Sequence, residues 1–164
     1  MELLKIFNKE EIPEESIGNF QKESSVRIIV KDKDGKVAIL YSQKGDFYVL
    51  PGGRIEKEET LEEAVIREAR EETGCKVETI KEVGRTIEVR AKKEEVKESF
   101  CYLVEVVGEK GNPSFRGEEL NDEFEINWFV PEKARELVRS NKMSDNLYYN
   151  YITERDLLFL EKGF

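Results

Sequence analysis

Histidine is absent from this chain of 164 residues, and cysteine (two), tryptophan (one), methionine (two) and proline (four) are scarce. The missing histidine excludes His-based zinc sites, Ser-His-Asp triads and histidine phosphotransfer. Any general base is then a carboxylate, a lysine, a tyrosine or water activated by a metal. Cys75 and Cys101 each fall at an expected buried position with no metal-ligand neighbour, so both read as free core thiols. No stretch approaches the length of a membrane span. The N-terminus lacks a basic-then-apolar signal pattern, so the expected location is the cytoplasm, with no membrane partner. Positive charge is also in deficit: 27 basic residues face 36 acidic ones, for a net charge of −9. With no basic stripe to neutralise phosphates, long nucleic acid is not an expected partner. A nucleotide-sized anion stays open, because a bound cation reverses the local potential.

What is present is globular. Hydrophobic and charged residues each make up 38% of the chain, and the length suits one domain with a sizeable core. Residues 1–24 read as an N-terminal arm or strand, and residues 25–164 as the domain itself. The β-branched run from Ser25 to Lys31 predicts a buried strand, and Asp34-Gly35 a hairpin turn into a strand over Lys36–Tyr41. A short strand is expected over Phe47–Leu50. Two strands are expected around Gly84 (Lys76–Glu82 and Arg85–Ala91), then a charged turn over Lys92–Glu95. Further strands are expected over Ser99–Val107 and Phe124–Val130, separated by a long acidic loop. Pro131 opens a helix to about Ser140, and a last helix ends near Leu160. Strands before and after a central helix, with two closing helices, predict an α/β domain whose mixed sheet is covered on both faces.

The central helix carries the chemistry. Residues 53–75 read GRIEKEETLEEAVIREAREETGC. Thr60 with Glu63 forms a capping box, and Gly74 suits the left-handed residue that ends a helix. At helical spacing Leu61, Ala64, Val65, Glu68 and Glu72 share one face, with Glu71 at its edge. An amphipathic helix normally keeps its acids on the opposite face. Carboxylates crowded at i, i+3 and i+4 repel one another and call for a cation. Oxygen-only donors suit a hard ion, Mg²⁺ or Mn²⁺, which bridges phosphate oxygens and activates water.

Gly53, five residues, Glu59, seven residues and then Arg67-Glu68-Ala69-Arg70-Glu71-Glu72-Thr73-Gly74-Cys75 is the spacing of the Nudix box, and the chain resembles a Nudix hydrolase. Ala69 and Cys75 stand where the family prefers a larger aliphatic residue, a change that removes no ligand. The resemblance implies an α/β/α sandwich and metal-dependent hydrolysis of a diphosphate linked to a nucleoside. It implies Glu68, Glu71 and Glu72 as metal ligands, with the Gly52 carbonyl beside them. The catalytic base in the family is a box glutamate or a later one, so Glu71, Glu68 and a loop acid are the candidates. Glu119 leads that loop group, with Glu118 and Glu123. Gly53 lets backbone approach the substrate, Arg54 stands where a cation touches phosphate, and Tyr48 is among the aromatics able to stack a base, with Tyr41, Phe47, Tyr102 and Trp128. Glu59, Arg67 and Gly74 read as structural, Arg67 by pairing with a box glutamate and orienting it. The expected assembly is a monomer or homodimer.

Substrate marks are fewer. Relatives that cleave ADP-ribose commonly carry a proline about sixteen residues past the box, where this chain has Arg90. Relatives that cleave diadenosine polyphosphates carry a tyrosine slightly further on, where it has Lys92. Exclusion leaves nucleoside triphosphate derivatives, oxidised dNTPs included, with ADP-ribose or another nucleotide sugar as the alternative. A catalytically silent nucleotide-binding module is the alternative of another class, and the complete set of box glutamates speaks against it.

Overall fold

Alternation along a single strand sets up both faces of the molecule. In β2 (Gln21–Lys31), Val26, Ile28 and Val30 point to one side of the sheet and Ile29 to the other, and all four are buried. The structure is a computed structural model that describes the backbone of residues 1–164 and all side chains except those of Glu118 and Glu119. A seven-stranded mixed sheet runs in the order β1 (Leu3–Phe7), β5 (Lys76–Arg90), β6 (Glu95–Val107), β2, β3 (Val37–Ser42), β4 (Phe47–Val49), with β7 (Phe124–Phe129) also paired to β3. The β1–β5 and β2–β6 pairs are parallel and the rest are antiparallel.

Helix α2 (Leu61–Thr73) covers one face, where Ala64, Val65 and Ala69 pack on Val26, Ile28, Val30, Ala38, Tyr102 and Val104. Helices α4 (Pro131–Arg139) and α5 (Leu147–Gly163) cover the other, where Ala134, Val138, Phe159 and Leu160 meet Ile29, Ile39, Leu50, Cys101 and Leu103. This is the α/β/α arrangement expected from the sequence. Two further pieces, α1 (Glu14–Ile17) and α3 (Glu118–Asn121), are single turns.

Three details differ from the sequence reading. The two strands expected around Gly84 are one strand, β5, with register shifts between Thr79 and Lys81 and between Glu82 and Gly84. Gly84 absorbs the second shift at φ +152°, and the Leu4 side chain fills the space a Cβ would need. β2 begins at Gln21, because the polar residues 21–24 pair in register with Glu95–Glu98 of β6. The charged turn after Arg90 is a 3-10 turn at Ala91–Lys93, and Glu94 alone separates it from β6. Of residues 1–24, Leu3–Phe7 joins the sheet edge, and Phe7 packs on Tyr148 and Tyr151 of α5. Among the described residues no helix is long and apolar enough to cross a membrane.

Candidate active site

The segment Pro51-Gly52-Gly53 leaves β4 and runs beside β2 towards α2. Ile28 N donates to Pro51 O and Val26 N to Gly53 O, both at 2.9 Å. Gly52 sits at φ +131°, and a Cβ there would lie 2.3 Å from Val26 O, so only glycine fits. Its N–H donates to Glu72 Oε2 at 2.5 Å. Its carbonyl accepts from Arg27 Nη1, which also bonds Val26 O at 2.9 Å. At Gly53 a Cβ would lie 2.3 Å from Glu68 Oε1. The two glycines therefore let backbone lie directly against the carboxylates of α2.

Helix α2 begins and ends as its sequence predicts. The Thr60 side chain accepts from Glu63 N, Glu63 answers to Thr60 N, and Gly74 closes the helix at φ +69°. This register turns Glu68 and Glu72 inward, at 5% and 3% exposure, an unusual burial for carboxylates. Arg67 organises the rest. It makes a bidentate pair with Glu59 (Nε to Oε1 2.8 Å, Nη2 to Oε2 2.9 Å) and bonds Glu68 Oε1 at 2.7 Å. It also reaches Arg54 O at 2.9 Å and stands 3.5 Å from Glu71 Oε2. The bond to Glu59 is the chief reason the Arg67 guanidinium holds its proton more firmly than usual, and it draws the Glu59 carboxyl below its ordinary range. Arg116, from the loop after β6, lies 3.0 Å from the other oxygen of Glu71.

Arginines thus stand where a cation was expected. Among the described residues no three acidic, cysteine or histidine side chains are grouped closely enough to hold a metal ion together. The donor chemistry still fits a hard divalent ion. Two buried carboxylates and a third at the rim share one helix edge, all donors are oxygen, and the Gly52 carbonyl keeps a second lone pair beside the one given to Arg27.

The remaining expected residues divide. Arg54 is exposed, with Arg67 bonded to its carbonyl, and pairs with Glu23 at 2.7 Å. Tyr48 is not brought to the carboxylates: its ring stacks on Tyr41 at 4.7 Å and packs with the α4–α5 cluster, and Asn141 binds its backbone on both sides. The reason is strand parity, since Tyr48 pairs across from Tyr41, which shares a face with Ile39. Phe47 meets Phe124 and Tyr149, Tyr102 is buried under α2, and Trp128 lies beneath Lys110. Glu123 pairs with Lys44 at the β3–β4 turn. The side chains of Glu119 and Glu118 lie outside the described residues. Cys75 and Cys101 are buried free thiols, and burial raises the Cys101 thiol well above its ordinary value.

Sequence reasoning missed Arg27, Arg116 and a buried charge network. In that network Arg155 bonds Glu88 Oε1 at 3.1 Å and Asp156 at 2.8 Å, and Arg90 bonds Glu88 Oε2 at 2.6 Å. Asp156 Oδ2 then accepts from Leu50 N at 2.9 Å, so the network holds the strand that delivers Pro51. A lone Arg inside the apolar run VRIIV was a signal for Arg27; nothing in the spacing marks Arg116.

The NUDIX domain model matches residues 21–150. The fold resembles that of the MutT NUDIX hydrolase from Burkholderia pseudomallei (TM-score 0.59, 19% identity, 88% of this chain and 99% of that one). It also resembles an ADP-ribose pyrophosphatase from Streptococcus suis (TM-score 0.54, 18% identity, 86% and 91%). A curated ADP-ribose pyrophosphatase of Methanocaldococcus jannaschii is 46% identical over 46 residues, 26% of this chain and 27% of that protein. The alignment thus spans about a quarter of that relative's length. The chain belongs to the NUDIX domain family.

Proposed function

We propose that the protein hydrolyses a diphosphate linkage in a nucleoside di- or triphosphate derivative, oxidised dNTPs included, with Mg²⁺ or Mn²⁺ as cofactor. The observation that carries this reading is the buried carboxylate edge of α2 lying against the Gly52-Gly53 backbone. Glu68, Glu71 and Glu72, with the Gly52 carbonyl, are assigned to hold the ion. When bound, such an ion neutralises the diphosphate and makes water more acidic.

The chain's own groups then have distinct tasks. Arg67 fixes the rotamer of Glu68 through its bond to Oε1, and Glu59 fixes Arg67. Gly53 leaves a face open along which a phosphate chain can lie. Arg54, exposed and paired with Glu23, exchanges that partner for a phosphate oxygen. Glu68 or Glu71 accepts the proton of the attacking water, and Glu119 is the assigned alternative from the loop. Water attacks one phosphorus and the bridging P–O bond breaks, leaving two phosphate-bearing products.

A second reading, ADP-ribose as substrate, has its own support in the short stretch shared with the M. jannaschii ADP-ribose pyrophosphatase. The proline mark that pointed away from it is weak. Arg90, in its place, is taken up by ion pairs to Glu88 and Glu95 and says nothing of substrate.

Turnover of dNTPs, 8-oxo-dGTP, ADP-ribose and UDP-glucose with Mg²⁺ or Mn²⁺, read as released phosphate or phosphomonoester, tests the proposal. Activity on at least one of them, abolished by excess chelator and restored by the metal, is expected. Undiminished turnover in chelator refutes the metal assignment. Metal-dependent binding of these nucleotides with no turnover establishes the silent module instead.

A further inference from the structure

The loop after β6 is fastened to the end of α2 at two points. Ser114 N donates to Glu71 O at 2.6 Å, and Gly111 N donates to Gly74 O at 3.2 Å. Gly74 and Gly111 touch so closely that a Cβ on either would lie 2.5 Å from the other's backbone. Two residues past the first anchor, Arg116 extends over Glu71 and places Nη1 3.0 Å from Oε1. Arg67 covers the second oxygen of the same carboxylate at 3.5 Å. Glu71 thus already carries cationic cover. Arg67 is also tied to Glu59, Glu68 and the Arg54 carbonyl and is 22% exposed; the Arg116 side chain is 73% exposed. Arg67, Arg70, Glu71, Ser114 and Arg116 line an open cavity of about 780 Å³, large enough for a nucleotide.

We infer that Arg116 is a displaceable counter-ion: it holds Glu71 while the site lacks a divalent ion, and binds a phosphate oxygen of the substrate once that ion takes the carboxylate. The inference rests on the assignment of Glu71 as a metal ligand. Two demands lead to it. Like charges compete for one carboxylate, so a divalent ion on Glu71 weakens the hold of Arg116 there. In a chain of net charge −9, a diphosphate needs local cations, and Arg116 is already delivered to the cavity on a fastened loop. Guanidinium and phosphate match in geometry, so a substrate phosphate suits the released side chain.

The two roles predict opposite shifts in one variant. Arg116→Ala, at an exposed side chain, leaves the fold intact. Calorimetric titration of the nucleotide-free protein with Mn²⁺ should show about two- to fivefold tighter binding than wild type, the range expected for loss of an exposed ion pair. Binding of α,β-methylene-ADP, a non-hydrolysable diphosphate, to the Mn²⁺-loaded variant should weaken by at least about tenfold, as for a lost charge-assisted bond. Arg116→Lys should recover part of both. A purely structural Arg116 moves neither value, and one that supports metal binding lowers Mn²⁺ affinity; either result overturns the inference while leaving the hydrolase reading in place. A wild-type protein that binds no Mn²⁺ removes both together.

Discussion

At the residue scale, a carboxylate's worth depends on which partner it keeps. Glu72 is held by Gly52 N, a bond that an amide oxygen can also accept. Glu72→Gln should therefore change folding stability by less than about 1 kcal/mol, yet lower turnover by at least about a hundredfold by removing a charge from the proposed metal site. Urea unfolding and steady-state kinetics separate the two. Arg67→Ala is the contrasting case. It strands Glu59 and the buried Glu68 without their guanidinium, which should cost about 2–4 kcal/mol as well as rate. Arg67→Lys should rescue only part, because an ammonium cannot span both oxygens of Glu59 while reaching Glu68. A melting temperature unchanged by Arg67→Ala would take this residue out of the site's scaffold. The placement of these side chains was largely legible beforehand, since Arg67, Glu68 and Glu72 sit at fixed offsets on one helix. For Arg27 the run VRIIV signalled a buried charge but not its partner: the contact with the Gly52 carbonyl depends on two segments meeting, and periodicity along one segment carries no record of that.

At the element scale, α2 was the most legible piece, because its start and stop signals lie within its own sequence. β5 was the least. Its alternation breaks at two bulges, and a bulge is settled by the partner strand rather than by the residues that contain it. The side taken by Tyr48 was hidden for a related reason: β4 and the residue after it are all apolar (Phe47–Leu50), so no apolar–polar alternation fixes which face the aromatic takes. The join between α2 and the loop after β6 was equally hidden, because it depends on two glycines far apart in sequence. Gly74→Ala places a side chain at φ +69° and drives its Cβ into the backbone of Gly111 and Asn112. It should cost more than the roughly 1 kcal/mol of an ordinary helix end. Proteolysis is the sharper readout, with faster cleavage between residues 109 and 117 in Gly74→Ala than in wild type. Equal cleavage rates would show that the loop does not depend on this contact.

At the scale of the whole molecule, the missing histidine and the buried charges together set the response to pH. Burial alone would raise the Glu88 carboxyl, but Arg155 and Arg90 carry it below its ordinary value of 4.5. A depressed carboxylate stabilises the fold above its unfolded value and loses that contribution as pH falls towards the folded one. Stability should therefore decline below about pH 4.5, and Glu88→Gln should flatten that decline. Lys97 acts at the other end. Burial first, then the charge of Arg27, brings it down to about 8 from 10.5. Between those values the unfolded chain holds a proton that the folded one has released, so this group makes stability rise with pH. Denaturant titrations at pH 7 and 9.5 should show that rise in wild type and its absence in Lys97→Met. The parallel pairing of β1 with β5 has a consequence in time as well. During synthesis Leu3–Phe7 is made before its partner Arg85–Glu88, which follows the whole of α2, and before Tyr151, on which Phe7 rests. This strand is thus made well before the segments it docks on, and until they follow, that edge of the sheet stays uncovered.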